Sequence, residues 1–99
     1  MPRQIVSEEA QDDLHSIYAH IADGNLDAAL RLMRRFDEAF ELLARHSQLG
    51  RERPELMSSV RSFAVGNYVI LYAPTDDTVE ILHVYHGRRD IGRIMRRRP

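Results

Sequence analysis

The block from Val60 to Asp90, V-R-S-F-A-V-G-N-Y-V-I-L-Y-A-P-T-D-D-T-V-E-I-L-H-V-Y-H-G-R-R-D, constrains the fold of this chain more than any other part of it. It holds three β-rich runs divided by two turn signals. Gly66-Asn67 is a two-residue hairpin connection of the kind that needs positive φ. Pro74 to Thr78 is a longer turn built from bend-forming residues. Between them Tyr68 to Tyr72 is apolar on both alternating faces, which suits a strand with a neighbour on each edge and cover on at least one face. A meander with Tyr68–Ala73 in the middle follows.

Upstream, the apolar period changes from two to about 3.6. Arg3 to Val6 reads as a short first strand. Ser7 is placed to cap a helix whose first turn carries Glu8 and Glu9, where negative charge suits the helix dipole. Ala10, Leu14, Ile17, Tyr18, Ile21 and Ala22 form the apolar stripe of that helix. Asp23-Gly24-Asn25 ends it, with Gly24 expected in the left-handed conformation and Asn25 as cap of the next helix. The second helix is expected over Leu26–Arg45. Ala29, Met33, Phe36, Phe40 and Leu43 make one stripe, and Leu26, Leu30, Leu32, Ala39 and Leu42 widen it, so the helix faces two neighbours. Its opposite face, with Arg31, Arg34, Arg35, Asp37, Glu38 and Glu41, reads as solvated.

From His46 to Ser59 the periodicity is lost. Gly50 and Pro54 punctuate a loop that Leu49, Leu56 and Met57 are placed to anchor. After the meander, Gly87 precedes a short helical turn from Asp90 to Met95. The expected order is β-α-α-β-β-β, an α+β fold. A four-stranded, mostly antiparallel sheet is covered on one face by an αα-hairpin, and the first strand joins one edge of the meander. The other face is expected to be concave and open. Residues 1–99 are expected to form a single domain.

Composition narrows the chemistry. There is no cysteine, which removes disulfides, thiolate metal sites and thiol nucleophiles. All fourteen basic residues are arginine, so no lysine is available as a Schiff-base former, general base or phosphate-loop cation. No apolar run approaches the roughly 18 residues of a membrane helix. The N-terminus has no apolar signal core, which predicts a cytoplasmic protein. Net charge is −1 but uneven: residues 1–47 carry five arginines against nine acids, whereas residues 88–99 carry six arginines against Asp90 alone. Two readings stay open for that end, a solubilising frayed terminus and a contact for an acidic partner or nucleic acid.

Alternation sorts the last strand into Val79, Ile81, His83 and Tyr85 on one face and Glu80, Leu82, Val84 and His86 on the other. His83 and His86 then point apart, and His15 and His20 are five residues apart on a helix. Neither pair has metal geometry, and no metal or cofactor is expected. Arg61, Tyr68, Tyr72, His83, Tyr85, His86, Arg88 and Arg89 all fall on the sheet or its exit. Singly, each is an ordinary surface or half-buried residue. Together they make an electropositive, aromatic-lined groove suited to a phosphate backbone or an acidic peptide.

The chain resembles the ParE toxins of the RelE/ParE superfamily of type II toxin–antitoxin systems. The resemblance runs through Ser7-Glu-Glu-Ala10, Asp13-Leu14, Leu49-Gly50-Arg51 and Pro54-Glu55-Leu56. It is most specific over Val60-Arg-Ser-Phe63, Val65-Gly-Asn-Tyr68, Tyr72, Pro74-Thr-Asp-Asp77, Ile81-Leu82 and His86-Gly-Arg-Arg-Asp90. It implies a growth-inhibiting toxin neutralised by a cognate ParD-like antitoxin. ParE-like members are held to poison DNA gyrase by binding, so DNA would be met only through such complexes. RelE-like members cut mRNA on the ribosome with lysines, arginines and a C-terminal tyrosine. This chain has no lysine and no tyrosine after Tyr85, so the resemblance implies a gyrase inhibitor with no catalytic residue of its own. The alternative is an endonuclease using Arg61, His83 or His86, and Arg89. Target- or antitoxin-binding candidates are Arg61, Tyr68, Tyr72, His86, Arg88, Arg89 and Arg93. The wide apolar face of the helical hairpin and a free sheet edge are the expected docking surfaces for an antitoxin tail.

Overall fold

The structure is a computed structural model that describes residues 3–89 and 91–96, without the side chains of Ile94 and Arg96. Asp90, Arg97 and Arg98, which the sequence reading places at the helical turn and in the basic end, lie outside the described residues. The elements in chain order are β1 (Arg3–Val6), α1 (Glu8–Ala22), α2 (Leu26–Arg45), β2 (Arg51–Glu52), β3 (Arg61–Val65), β4 (Tyr68–Pro74), β5 (Thr78–His86) and α3 (Ile91–Arg96).

The helix boundaries follow local chemistry. Ser7 Oγ accepts from the Ala10 amide at 3.1 Å and donates to the Leu82 carbonyl at 3.0 Å, so one hydroxyl caps α1 and ties it to the sheet. Asn25 Oδ1 accepts from the Ala28 amide at 3.0 Å and starts α2. Between the helices, Gly24 does not take the expected left-handed conformation. Asp23 stays right-handed at φ −58°, and the amides of Gly24 and Asn25 both donate to the Ile21 carbonyl, so the first helix simply tightens as it ends.

The sheet order is β1-β5-β4-β3-β2, with β1 parallel to β5 and every other pair antiparallel. As expected, Tyr68–Ala73 lies on an internal strand and β1 joins an edge. Gly66, at φ 58°, makes the β3–β4 hairpin turn. The sheet has five strands where four were expected. The extra strand, Arg51–Glu52, lies inside the loop and pairs with Ser62 and Arg61. Two residues are too few to show a period, so only long-range contacts reveal it.

Helix-side burial follows the stripe of α2. Phe36, Phe40 and Leu43 pack with Ala10 of α1 and with Val65, Ile70, Tyr72, Val79, Ile81 and Val84 of the sheet. Each large side chain withdrawn from water contributes about 1.5–3 kcal/mol. Leu26 and Leu30, in the widening stripe, remain 53% and 44% exposed.

The opposite face is not open, as the sequence reading expects. Val60, Leu71, Leu82 and Tyr85 form a second core there with Ile91 and Met95 of α3 and Leu56 of the loop. The cause is visible in β4, whose neighbours Ile70 and Leu71 are both fully buried on opposite faces, so both need cover. Of the three expected loop anchors only Leu56 packs; Leu49 and Met57 are 51% and 47% exposed.

The regular alternation expected of the last strand is broken. Leu71 stands opposite His83 and Tyr72 opposite Ile81, which leaves Leu82 as an extra residue, a β-bulge. Val79 and Ile81 face the helices before it and Val84 after it, whereas Leu82 and Tyr85 face the second core. Tyr85 therefore parts from Ile81, with which strict alternation grouped it.

Candidate functional site

Beyond Ile81, β5 has lost its β1 partner and α1 takes over that edge. Asp13 Oδ2 accepts from the Val84 amide at 3.0 Å and from His83 Nδ1 at 2.9 Å. A carboxylate from α1 thus satisfies the strand just past its bulge. Because the carboxylate only accepts, His83 Nδ1 carries a proton, and Nε2 is buried without a partner.

The reversed phase after the bulge sets His86 opposite Tyr68 in register. Their rings meet edge-on at 5.4 Å, and Tyr68 meets Phe36 of α2 edge-on at 5.8 Å. The Arg88 amide donates to His86 Nδ1 at 3.2 Å, so neutral His86 carries its proton on Nε2. The Arg89 amide donates to the His86 carbonyl at 2.9 Å and closes the turn at the strand exit. Between α1 and this end of the sheet lies a cleft of about 340 Å³. Asp13, Ser16, Ile17 and His20 line it from the helix, with Tyr68, Val84, Tyr85, His86 and Arg89 from the strands and their exit.

Three of the residues proposed from sequence, Tyr68, His86 and Arg89, therefore share one site. Arg88 is exposed beside it. Arg93 is an exposed residue of α3, where it is engaged within the chain. Arg61 and Tyr72 lie elsewhere and have structural duties. Tyr72 is 0% exposed and offers no surface to a partner. Its hydroxyl accepts from the Gly50 amide and donates to the Ser47 carbonyl, both at 2.8 Å. Arg61 Nη1 donates to the carbonyls of Gln48 at 3.2 Å and Gly50 at 2.7 Å. Its Nη2 meets Gln48 Oε1 and, at 3.3 Å, Glu52 Oε1. Both side chains pin the loop that carries β2. Arg61 also forms part of the wall of a second, more polar cleft of about 620 Å³ at the far end of the sheet, with Glu52, Ser59 and Asp76.

A further pairing escaped sequence reading. Arg53 Nε donates to Glu55 Oε2 at 2.6 Å and Nη1 to Ser62 Oγ at 3.3 Å, and its charge acts on the Tyr85 hydroxyl. Burial pushes the Tyr85 hydroxyl above its ordinary pKa, and the guanidinium opposes that shift. The same guanidinium holds the exposed Glu55 carboxyl below its ordinary value. No periodicity predicts this cluster, because the bulge decides on which face Tyr85 emerges. Asp13 entered the sequence reading only through the family resemblance and His20 only as a rejected metal ligand; neither was placed at this cleft.

The described residues contain no helix long and apolar enough to cross a membrane. Residues 5–91 match the family model of the ParE toxin of type II toxin–antitoxin system, parDE. The chain belongs to the ParE toxin family. Toxin ParE3 of Caulobacter vibrioides is 27% identical over 92 residues, 92% of this chain and 92% of that protein. Among solved structures, the chromosomal ParDE toxin–antitoxin system from P. aeruginosa matches with a TM-score of 0.72 at 20% identity, over 87% of this chain and 95% of that one. The RelBE2 toxin–antitoxin complex from Mycobacterium tuberculosis matches with a TM-score of 0.61 at 28% identity, over 87% of this chain and 99% of that one. This ParE-family chain is a toxin of the type II toxin–antitoxin class, and its mixed α+β fold is the one those structures share.

Proposed function

We propose that this ParE-family toxin inhibits DNA gyrase by direct binding, without catalysis of its own, and is neutralised in the cytoplasm by a cognate ParD-like antitoxin. DNA is then met only through the gyrase complex, and no membrane is involved. The family match over residues 5–91 carries this reading. The geometry supports it over the endonuclease alternative, for which the RelBE2 likeness speaks.

An RNA-cleaving site needs a base that can reach the 2′-hydroxyl and cations held free for the phosphate. His83 Nε2 is buried, so it has no access to a substrate hydroxyl. Accessible His86 has its lone pair engaged by the Arg88 amide, so it presents a donor where a base is wanted. Arg53 and Arg61 are bound to Glu55, Ser62 and the loop carbonyls. What remains is a docking surface, in which Tyr68, His86, Arg88 and Arg89 face the target or the antitoxin.

The test is induction in cells without antitoxin, together with purified toxin, gyrase and supercoiled DNA. Gyrase–DNA cleavage complexes, with cellular mRNA left intact, are expected. Cut mRNA with gyrase unaffected would overturn the proposal in favour of the endonuclease. Loss of toxicity with neither effect would leave a chain that only binds antitoxin, which equally refutes it.

A further inference from the structure

We infer that the cleft between α1 and the exit of β5 is an anchor site for a partner peptide in which a large apolar side chain lies next to a carboxylate. The inference rests on the proposed antitoxin partnership and gives that partner's contact a chemical class. The floor is apolar, from Ile17, Val84 and the Tyr68 ring, and holds about 340 Å³, room for a bulky side chain. The rim carries donors. His86 Nε2–H is the donor left on that ring once Arg88 has taken Nδ1, and its edge contact with Tyr68 fixes the ring's direction. Arg89 is exposed and makes no ion pair among the described residues.

The one acid in the cleft, Asp13, is spent inward on the Val84 amide and His83. It therefore repels an incoming carboxylate less than an unpaired acid would. Charge complementarity thus selects an acidic segment at this end of a chain whose first 47 residues carry nine acids against five arginines.

A nucleic-acid backbone fits less well. It needs a track of cations, and Arg53 and Arg61 are bound to Glu55, Glu52 and loop carbonyls, while Arg51 lies on the far edge strand β2 and Arg3 pairs with Thr78 at the opposite end of β5 from the cleft. Among the described residues that line the cleft, Arg89 is the one arginine, which makes a spot and not a track.

The experiment is an NMR titration of the ¹⁵N-labelled full chain with a synthetic acetylated peptide of alternating phenylalanine and glutamate. Its controls are the same peptide with glutamine for glutamate and a single-stranded oligonucleotide of equal charge. The expected result is saturable shifts at Ser16, Ile17, Val84, His86 and Arg89, with the glutamine peptide weaker. Arg89→Gln and Ser16→Glu change exposed residues. Each should weaken the glutamate peptide by about two- to fivefold, the scale of an exposed charge pair. Shifts outside the cleft, equal binding of the two peptides, or tighter binding of the oligonucleotide at these residues would each overturn the inference.

Antitoxin from the adjoining reading frame is assayed in parallel. If it binds parent, Arg89→Gln and Ser16→Glu equally tightly, the partnership stands and the anchor site fails. If no antitoxin binds while the peptide still seats in the cleft, the partnership fails and the site survives.

Discussion

Asp13→Ala is the most informative single change, because one carboxylate holds α1 against the bulged part of β5. Asp13 Oδ2 serves two donors, the Val84 amide at 3.0 Å and His83 Nδ1 at 2.9 Å. The His83 side chain is 9% exposed and that of Asp13 22%, so the site is mostly, not wholly, shut off from water. An orphaned buried donor costs ~1–3 kcal/mol. With two donors and some access for water, Asp13→Ala should cost about 2–4 kcal/mol. Asp13→Asn keeps a neutral acceptor and should lose about half as much, since the charge-assisted part alone is gone.

The assay is urea unfolding followed by far-ultraviolet circular dichroism, the chain having no tryptophan to report by fluorescence. The midpoint should fall with the slope unchanged, and the melting temperature should drop by roughly 4–8 °C per kcal/mol for a domain of this size. Hydrogen exchange at the Val84 amide gives a local readout, because its protection should collapse in Asp13→Ala before that of neighbouring β4 amides. A double-mutant cycle with His83→Leu should show a coupling of about 1 kcal/mol or more. If Asp13→Ala unfolds within about 0.5 kcal/mol of the parent, the ordinary scatter for surface substitutions, or if Val84 stays protected, the carboxylate does not hold this edge and the argument is wrong.

Three other outcomes follow from the same contacts. Tyr72→Phe should lose about 2–3 kcal/mol in urea, through two hydrogen bonds and an orphaned Gly50 amide, while antitoxin binding measured by calorimetry at a folding temperature stays unchanged. Gly50→Ala should be as damaging or worse by thermal melt, because its Cβ would sit 2.6 Å from the Tyr72 hydroxyl and 2.7 Å from the Ser62 carbonyl, and the latter is backbone that cannot step aside. Burial raises the hydroxyl pKa of Tyr72 and Tyr85 from the ordinary 10.0, so the fold holds both protonated while the unfolded chain ionises. Stability should therefore be intact below that pH and fall as pH rises through the folded values. Tyr85→Phe should flatten this alkaline loss in urea midpoints taken between roughly pH 9 and 11.

The parts of the fold that were legible in the sequence are those with a local cause. Ser7 and Asn25 cap as their positions demand, Gly66 turns the hairpin, and the α2 stripe from Ala29 to Leu43 buries as its spacing requires. The errors share a different origin, contacts between residues far apart in the chain. Strand β2 exists because Tyr72 and Arg61 grip residues 47–52 from the sheet. The second core exists because the loop and α3 return over β4. The Leu82 bulge arises where β1 ends and α1 takes its place on β5, a junction that strand alternation cannot encode.

The same distinction separates usable cations from committed ones, and it is what decides the functional surface. In the sequence Arg61, Arg88 and Arg89 are equivalent, all within the β-rich block, and Arg53 lies in the loop before it. In space Arg61 is held by residues 48, 50 and 52 and Arg53 by Glu55 and Ser62, so each is paired with an acid and its donors are engaged. Arg88 and Arg89 follow the last strand, where the backbone turns on His86, and neither makes an ion pair among the described residues. Sequence composition argued against lysine chemistry; the hydrogen bonds extend that argument to Arg53, Arg61 and both β5 histidines. His86, Arg88 and Arg89 thus place uncommitted donors at one end of the sheet, beside an apolar cleft. Such an arrangement is poor for moving a proton and good for holding a carboxylate next to an apolar side chain.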